Sequence, residues 1–261
     1  KTLIDKVGVL RKEFDGAQDF DFVLRLSEAT TPDNIYHIPR ILYHWRMHPE
    51  STAQDPESKM YCYDAGKRAI EAHYQRMHVD ASVEMLPKPM YGMYHTIYST
   101  KDNPLVSILI PNYNHKDILK TCIDSLYKVN TYKNFEIVIV ENNSTEKEVF
   151  DYYEELQKEH DNVCVVTYKG EFNFSKINNF GMKYTKGDYV LLLNNDTEII
   201  EPTALSEMVG CILRDEVGAV GARLLYADDT IQHAGIVLGF IGYAGHVNYG
   251  LSKDEHGYMN T

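Results

Sequence analysis

Apolar and polar positions change rhythm twice along the chain. Over the first 26 residues the apolar positions recur at helical spacing: Leu3, Ile4, Val7 and Leu10 share one face. Asp19 opens a second helix carrying Phe22, Val23, Leu24 and Leu26, with Asp19 and Asp21 at its positive end. Asn34 to Arg46 reads as a strand interrupted at Pro39, hence an edge or a bend. Gln54 to about Val79 reads as a charged, tyrosine-bearing helix, and Pro87, Pro89 and Pro104 then punctuate a linker.

From Leu105 the rhythm becomes repeated strand and helix. Strands are expected at Val106 to Ile110, Phe135 to Val140, Val163 to Tyr168 and Tyr189 to Leu193, with helices near Ile118 to Tyr127, Glu146 to Lys158 and Lys176 to Tyr184 between them. Such alternation predicts right-handed βαβ units, an α/β fold with a mostly parallel sheet flanked by helices. Tyr189 to Leu193 is too short for a helix and too uniformly apolar for a half-exposed strand, so it is expected to be buried on both faces. A helix near Thr203 to Leu213 and a strand from Val217 to Leu225 follow, then glycine-rich sequence from Gly235 to Gly250.

A chain of 261 residues can bury a substantial core, as one large α/β domain or one domain with part of another. A formal net charge of -12 argues against a nonspecific grip on nucleic acid, and no dense Lys/Arg run marks an anionic membrane surface. The four cysteines have neither C-x-x-C nor any regular metal-ligand spacing and read as thiols in a reducing compartment. No apolar run is long enough to span a bilayer. The chain begins at Lys1 rather than a methionine, which suggests a piece excised from something longer.

Candidate chemistry gathers at strand ends. The first βαβ strand ends in Pro111, Asn112, Tyr113 and Asn114, the second in Glu141, Asn142, Asn143 and Ser144, the fourth in Asn194, Asn195 and Asp196. In open α/β sheets ligands bind beyond the carboxyl ends of the strands. Each tip alone reads as an ordinary turn or helix cap; together they suit a nucleoside. Tyr113 would pack on a ring, Glu141 or a neighbour would accept from base or ribose, and Asp196 would carry a hard divalent cation, Mg²⁺ or Mn²⁺, bridging a diphosphate. His44 and His48 read as edge-strand or surface histidines unless an acidic site lies beside them.

These residues resemble the family-2 nucleotide-sugar glycosyltransferases of the GT-A (Rossmann-like) fold. V-S-I-L-I-P-N-Y-N resembles the opening strand, I-V-I-V-E-N-N-S the second nucleotide segment, and G-D-Y-V-L-L-L-N-N-D-T the D-x-D metal segment, with Asn194 in the place of the first acid. The resemblance implies Asp196 as metal ligand, Pro111, Tyr113, Asn114, Glu141, Asn143 and Asn195 around the nucleotide, and Asn179 with Gly181 on the donor-side helix. F-D-G-A-Q-D-F-D-F-V-L-R-L-S-E resembles the acceptor-side segment, with Asp19 as catalytic base and Gln18 replacing the usual acid. Y-H-W-R-M-H-P-E-S-T resembles a still later segment whose histidine, here His48, reaches the metal or diphosphate.

That order is inverted, acceptor half first and donor half second. The expectation is therefore a split or permuted fold cut from a tandem enzyme: residues 1–53 the acceptor-side end of one domain, 54–103 a helical linker, and 104–261 the donor-binding front of the next. The halves would complement one another within one chain or as a swapped homodimer. The implied reaction moves sugar from a nucleoside diphosphate sugar to a hydroxyl of a saccharide or lipid-linked saccharide, inverting the anomeric centre. It would serve bacterial surface polysaccharide synthesis in the cytoplasm, at or near the inner membrane face. Two rivals stay open: a nucleotide-binding module without turnover, and a nicotinamide-binding enzyme, the latter weakened because no G-x-G-x-x-G follows Ile110.

Overall fold

The computed structural model describes residues 1–44, 59–88, 90–239 and 242–255. The chain divides into two compact units, Lys1–Ser99 and Thr100–Thr261.

In the first unit, helices α1 (Thr2–Val7), α2 (Gln18–Glu28) and α3 (Met60–Met77) are followed by an antiparallel hairpin of β1 (Ala81–Met85) and β2 (Tyr94–Tyr98). Buried ion pairs bind the helices. Asp21, fully buried, accepts from Arg11 and from Arg25 Nε at 2.9 Å, and Arg25 also donates to the carbonyls of Val7 (2.6 Å) and Val9 (2.9 Å). Glu28 takes both arms of the Arg76 guanidinium at 2.7 Å each and His73 Nδ1 at 2.7 Å, tying α2 to α3. Such forked pairs combine charge with fixed direction.

Two expectations here are corrected. Residues 35–44 form no strand: Ile35, Tyr36, Ile41, Leu42 and Tyr43 are exposed and the segment is irregular. A strand needs a ladder partner, and none of the described strands pairs with it. The stretch expected to be a helical linker also contains the β1–β2 hairpin, whose half-polar strands carry little apolar signal.

The second unit is a parallel sheet flanked by helices, in agreement with the α/β expectation. Its strands β3 (Val106–Asn112), β4 (Phe135–Glu141), β5 (Val163–Thr167) and β6 (Tyr189–Leu192) lie in the order β5-β4-β3-β6. Helices α4 (Lys116–Lys128), α5 (Lys147–Glu159) and α6 (Phe174–Gly181) connect them, and α7 (Ala204–Ile212) follows. Alternation sorts the faces. Val106, Ile108, Ile110, Ile137 and Ile139 join Leu119, Ile123, Leu126, Val149, Leu156, Leu205 and Val209 in the larger core, on the side of α4, α5 and α7. Leu109, Val138 and Val140 point the other way and pack with Ile177 of α6.

The far end of this unit departs from expectation. Only Leu224–Leu225 (β7) of the anticipated strand from Val217 is regular, and it pairs antiparallel with β8 (Ile231–His233) rather than joining the main sheet. A second small ladder joins β9 (Ile236–Leu238) to β10 (Ala244–His246). Among the described strands β6 is therefore an edge, and Leu192, expected to be buried, is 53% exposed. The uniform apolar run of β6 predicted two covered faces; Tyr189 and Leu191 do pack on the core, but no described neighbour covers Leu192.

Candidate functional site

The carboxyl ends of β3 and β6 and the start of α6 enclose a cavity of about 340 Å³, lined by Pro111, Asn112, Tyr113, His115, Asn142, Phe172, Phe174, Ile177, Asn194, Asn195 and Asp196. Parallel pairing places the tips together: β3 is in register with β4 from Val106↔Phe135 to Asn112↔Glu141, and with β6 from Val106↔Tyr189.

The chain makes this rim by leaving regular structure abruptly. Asn114, His115 and Asn143 all adopt left-handed backbone conformations, with φ of 49°, 54° and 61°. Asparagine tolerates that region better than most residues, which suits these asparagine-rich tips to tight reversals. Asn114, largely buried, accepts the backbone N–H groups of Thr145 (2.8 Å) and Glu146 (3.2 Å), so the β3 tip caps the entry to α5. Glu141, also buried, accepts the Ser144 N–H at 2.5 Å. Asn142 donates to the carbonyls of Tyr168 and Gly170 at 3.0 Å each, and Asn143 to Gly170 at 2.7 Å.

The nucleotide candidates thus fall into two groups. Pro111, Tyr113 and Asn195 line the cavity together with Asp196, and Tyr113 is half exposed. Asn114, Glu141 and Asn143 stand behind it, their side chains engaged by neighbouring loops. Asn179 lies exposed on α6 outside the lining. Asp19, in the first unit, is exposed on the first turn of α2 and accepts the Phe20 N–H at 2.9 Å. His48 lies outside the described residues.

Sequence reasoning missed Phe172, Phe174, His115 and the direct parts of Asn112 and Asn142. The F-N-F run across the start of α6 was the available signal, because two aromatics on either side of the Asn173 cap are poorly placed for a core; they are 73% and 49% exposed.

Asp196 sets the charge of the mouth. It is exposed and makes no hydrogen bond or ion pair among the described residues, and no Lys or Arg lines the cavity. Beneath it Cys122 is buried, with its sulfur 3.7 Å from the Asn194 carbonyl oxygen; burial, reinforced by the Asp196 charge, pushes the thiol up to about 12. Tyr153, 4% exposed, accepts from Asn112 Nδ2 at 2.7 Å, and burial pushes its phenol up to about 12. Neither group ionises near neutrality, and Asp196 is the acidic side chain among the described residues that line the cavity.

The described residues contain no group of three or more His, Cys, Asp and Glu that could hold a metal ion. One unpaired carboxylate preceded by two side-chain amides still fits a hard cation of the kind that draws further ligands from phosphate oxygens. Among the described residues no helix is long and apolar enough to cross a membrane.

A family model described as glycosyl transferase family 2 matches residues 107–247. An uncharacterized protein of Sinorhizobium fredii, y4gI, is 37% identical over 258 residues, covering 99% of this chain and 28% of that protein. The O-antigen biosynthesis protein RfbC of Myxococcus xanthus is 41% identical over 246 residues, covering 94% of this chain and 19% of that protein. The chain therefore spans less than a third of these relatives. Among solved structures, a mannosyltransferase from Pyrobaculum calidifontis in complex with GDP-Man and Mn²⁺ is 18% identical, with a TM-score of 0.44, covering 64% of this chain and 45% of that one.

Proposed function

The chain belongs to glycosyl transferase family 2, and from that premise we propose that its second unit holds a nucleoside diphosphate sugar in the cavity at the tips of β3 and β6. The observation that carries this reading is the pairing of Asp196, free of any described cation, with a cavity that offers no Lys or Arg. A diphosphate cannot enter such a mouth without a counter-charge. A divalent metal on Asp196 would supply it and stabilise the departing diphosphate.

The protein groups have separate tasks. Tyr113, Phe172 and Phe174 give flat apolar faces for a base or sugar ring. Asn142 and Asn195 offer amides at the cavity wall. Asn114, Glu141 and Asn143 hold the loops that shape it. Asn179, with Gly181, belongs to the donor-side helix.

Asp19, by its match to the acceptor-side motif, is proposed as the base that takes the proton of an acceptor hydroxyl. Attack opposite the diphosphate then inverts the anomeric carbon. An exposed carboxylate at a helix start is accessible to an incoming alcohol, and His48 is proposed to assist at the metal or diphosphate. Alignment of 99% and 94% of this chain inside much longer relatives supports the tandem reading, an acceptor-side end followed by a donor-side front. RfbC's description supports surface polysaccharide synthesis, with a saccharide or lipid-linked saccharide as acceptor on the cytoplasmic side.

Isothermal calorimetry with UDP and GDP, with and without Mn²⁺, set beside donor-sugar hydrolysis, tests the proposal. Metal-dependent nucleotide binding with turnover supports it; metal-dependent binding without hydrolysis favours a nucleotide-binding module, a reading favoured by Asn194 in the place of an acid. Complementation between copies, as a swapped homodimer, is tested by mixing Asp19→Asn and Asp196→Asn chains. Recovered transfer supports exchange between chains, and its absence excludes it.

A further inference from the structure

Two strand-end amides, Asn112 and Asn195, form one continuous chain of hydrogen bonds with Tyr153 of α5. Asn112, 3% exposed at the end of β3, places Nδ2 at 3.1 Å from the Asn114 carbonyl and 2.7 Å from Tyr153 Oη. Its Oδ1 lies 2.6 Å from Asn195 Nδ2, just beyond β6. This pattern decides which way each amide faces. A backbone carbonyl only accepts, so the Asn112 atom against Asn114 must be nitrogen. The other end of Asn112 is then oxygen, which only accepts, so the Asn195 atom meeting it must be nitrogen. The Asn195 oxygen is left as the unengaged end of its amide, with no partner among the described residues.

Asn195 and Asp196 are adjacent and both line the cavity. The lining thus includes both an unpaired carboxylate and a residue whose amide oxygen has no partner among the described residues. Hard divalent cations take oxygen ligands, amide carbonyls included. The opposite orientation of Asn195 would turn an amide NH₂ toward the same space and repel a cation.

We infer that Asn195 contributes the second protein oxygen of the divalent-cation site at Asp196, and that Asn112, anchored by Tyr153 and the Asn114 carbonyl, is the positioning residue that holds this oxygen outward. The inference rests on the metal and nucleotide reading above and deepens it. It also gives a physical account of how an amide at Asn194 is tolerated: the oxygen comes from the next residue, oriented from β3.

The test is Mn²⁺ binding to the whole chain by electron paramagnetic resonance, which reads the loss of the free-ion signal, in the presence of UDP, GDP, ADP or dTDP. Nucleotide affinity in EDTA is measured alongside. Asp196→Ala is expected to abolish Mn²⁺ uptake. Asn195→Ala is expected to weaken Mn²⁺ by about 10-fold, a larger factor than it weakens metal-free nucleotide binding, and Asn195→Asp to restore it. Asn112→Leu, which removes the acceptor holding Asn195, should weaken Mn²⁺ on the order of 10-fold, the usual effect of losing an outer-shell partner. If that buried variant misfolds, the half-exposed Asn195 pair decides alone.

Loss of Mn²⁺ in Asp196→Ala with wild-type affinity in Asn195→Ala would overturn this inference and leave the nucleotide reading standing. Equal loss of metal-free nucleotide binding in Asn195→Ala would make it a nucleotide contact instead, which also overturns it. Absence of Mn²⁺ uptake by the wild-type chain with all four nucleotides would overturn both.

Discussion

Gly181 at the end of α6 lies directly against Val140 of β4: a Cβ there would stand 2.6 Å from Val140 Cγ2 and closer still to Leu109 Cδ1. The helix lies close against the sheet here, and the same helix supplies Phe174 and Ile177 to the cavity lining. Gly181→Ala is expected to destabilise the second unit by about 1–3 kcal/mol through overpacking. Urea unfolding monitored by circular dichroism checks this; an unchanged midpoint would show that α6 moves away freely.

Nucleotide binding should be metal-dependent. Because among the described residues only Asp196 supplies a carboxylate to the cavity lining, chelation with EDTA and the substitution Asp196→Asn are each expected to weaken UDP or GDP binding at least about 10-fold, or 1.4 kcal/mol. Calorimetry gives both values. Full affinity in EDTA would mean that a group outside the described lining neutralises the diphosphate.

Acid should weaken the first unit through Asp21. Burial alone would raise its pKa, but hydrogen bonds from Arg11 and Arg25, with their charges, hold it below the ordinary value of 3.8. A depressed carboxylate stabilises the fold above its unfolded pKa, and that contribution is lost as pH falls through the folded value. Glu28, held low against burial by Arg76 and His73, follows the same rule. Thermal melts should therefore fall steeply below about pH 4. Asp21→Asn should lower stability by about 3 kcal/mol at neutral pH, because it leaves buried arginine uncompensated, and should flatten the acid slope.

The cysteines should differ in reactivity. Cys122 is buried and its thiol is pushed up to about 12, whereas Cys62, Cys164 and Cys211 are only partly buried. Since the thiolate is the nucleophile, an aromatic disulfide reagent at pH 8 should label Cys122 last, with its labelling tracking unfolding. Early labelling would show that the β6 tip opens in solution.

Asp19→Asn should abolish sugar transfer while leaving nucleotide affinity unchanged, because Asp19 lies in the first unit and the cavity proposed for the nucleotide in the second. Retained transfer would assign the base elsewhere.

Much of the second unit was legible along the chain. Residues 106–110 and 135–140 are buried on both faces and apolar but for Ser107 and Glu136, which pair with each other, as suits strands covered by helices on each side, and the intervening helices carry one apolar stripe. Residues 35–44 and 217–223 carry comparable apolar content and form no strand. Strand formation depends on a neighbouring edge, which local pattern cannot supply.

The sequence by itself determined where the strands of the parallel sheet stop and that amides and one carboxylate gather at those ends, because alternation and abrupt polarity are properties of neighbouring residues. Only the tertiary structure decided which tip residues face the cavity and which brace the loops. Asn114 and Asn195 are the same residue type, each just beyond the end of a strand. One is consumed by the N–H groups of Thr145 and Glu146, while the other is turned by Asn112. That division follows from hydrogen-bond partners 31 to 83 residues distant in sequence, which come together only when the sheet closes.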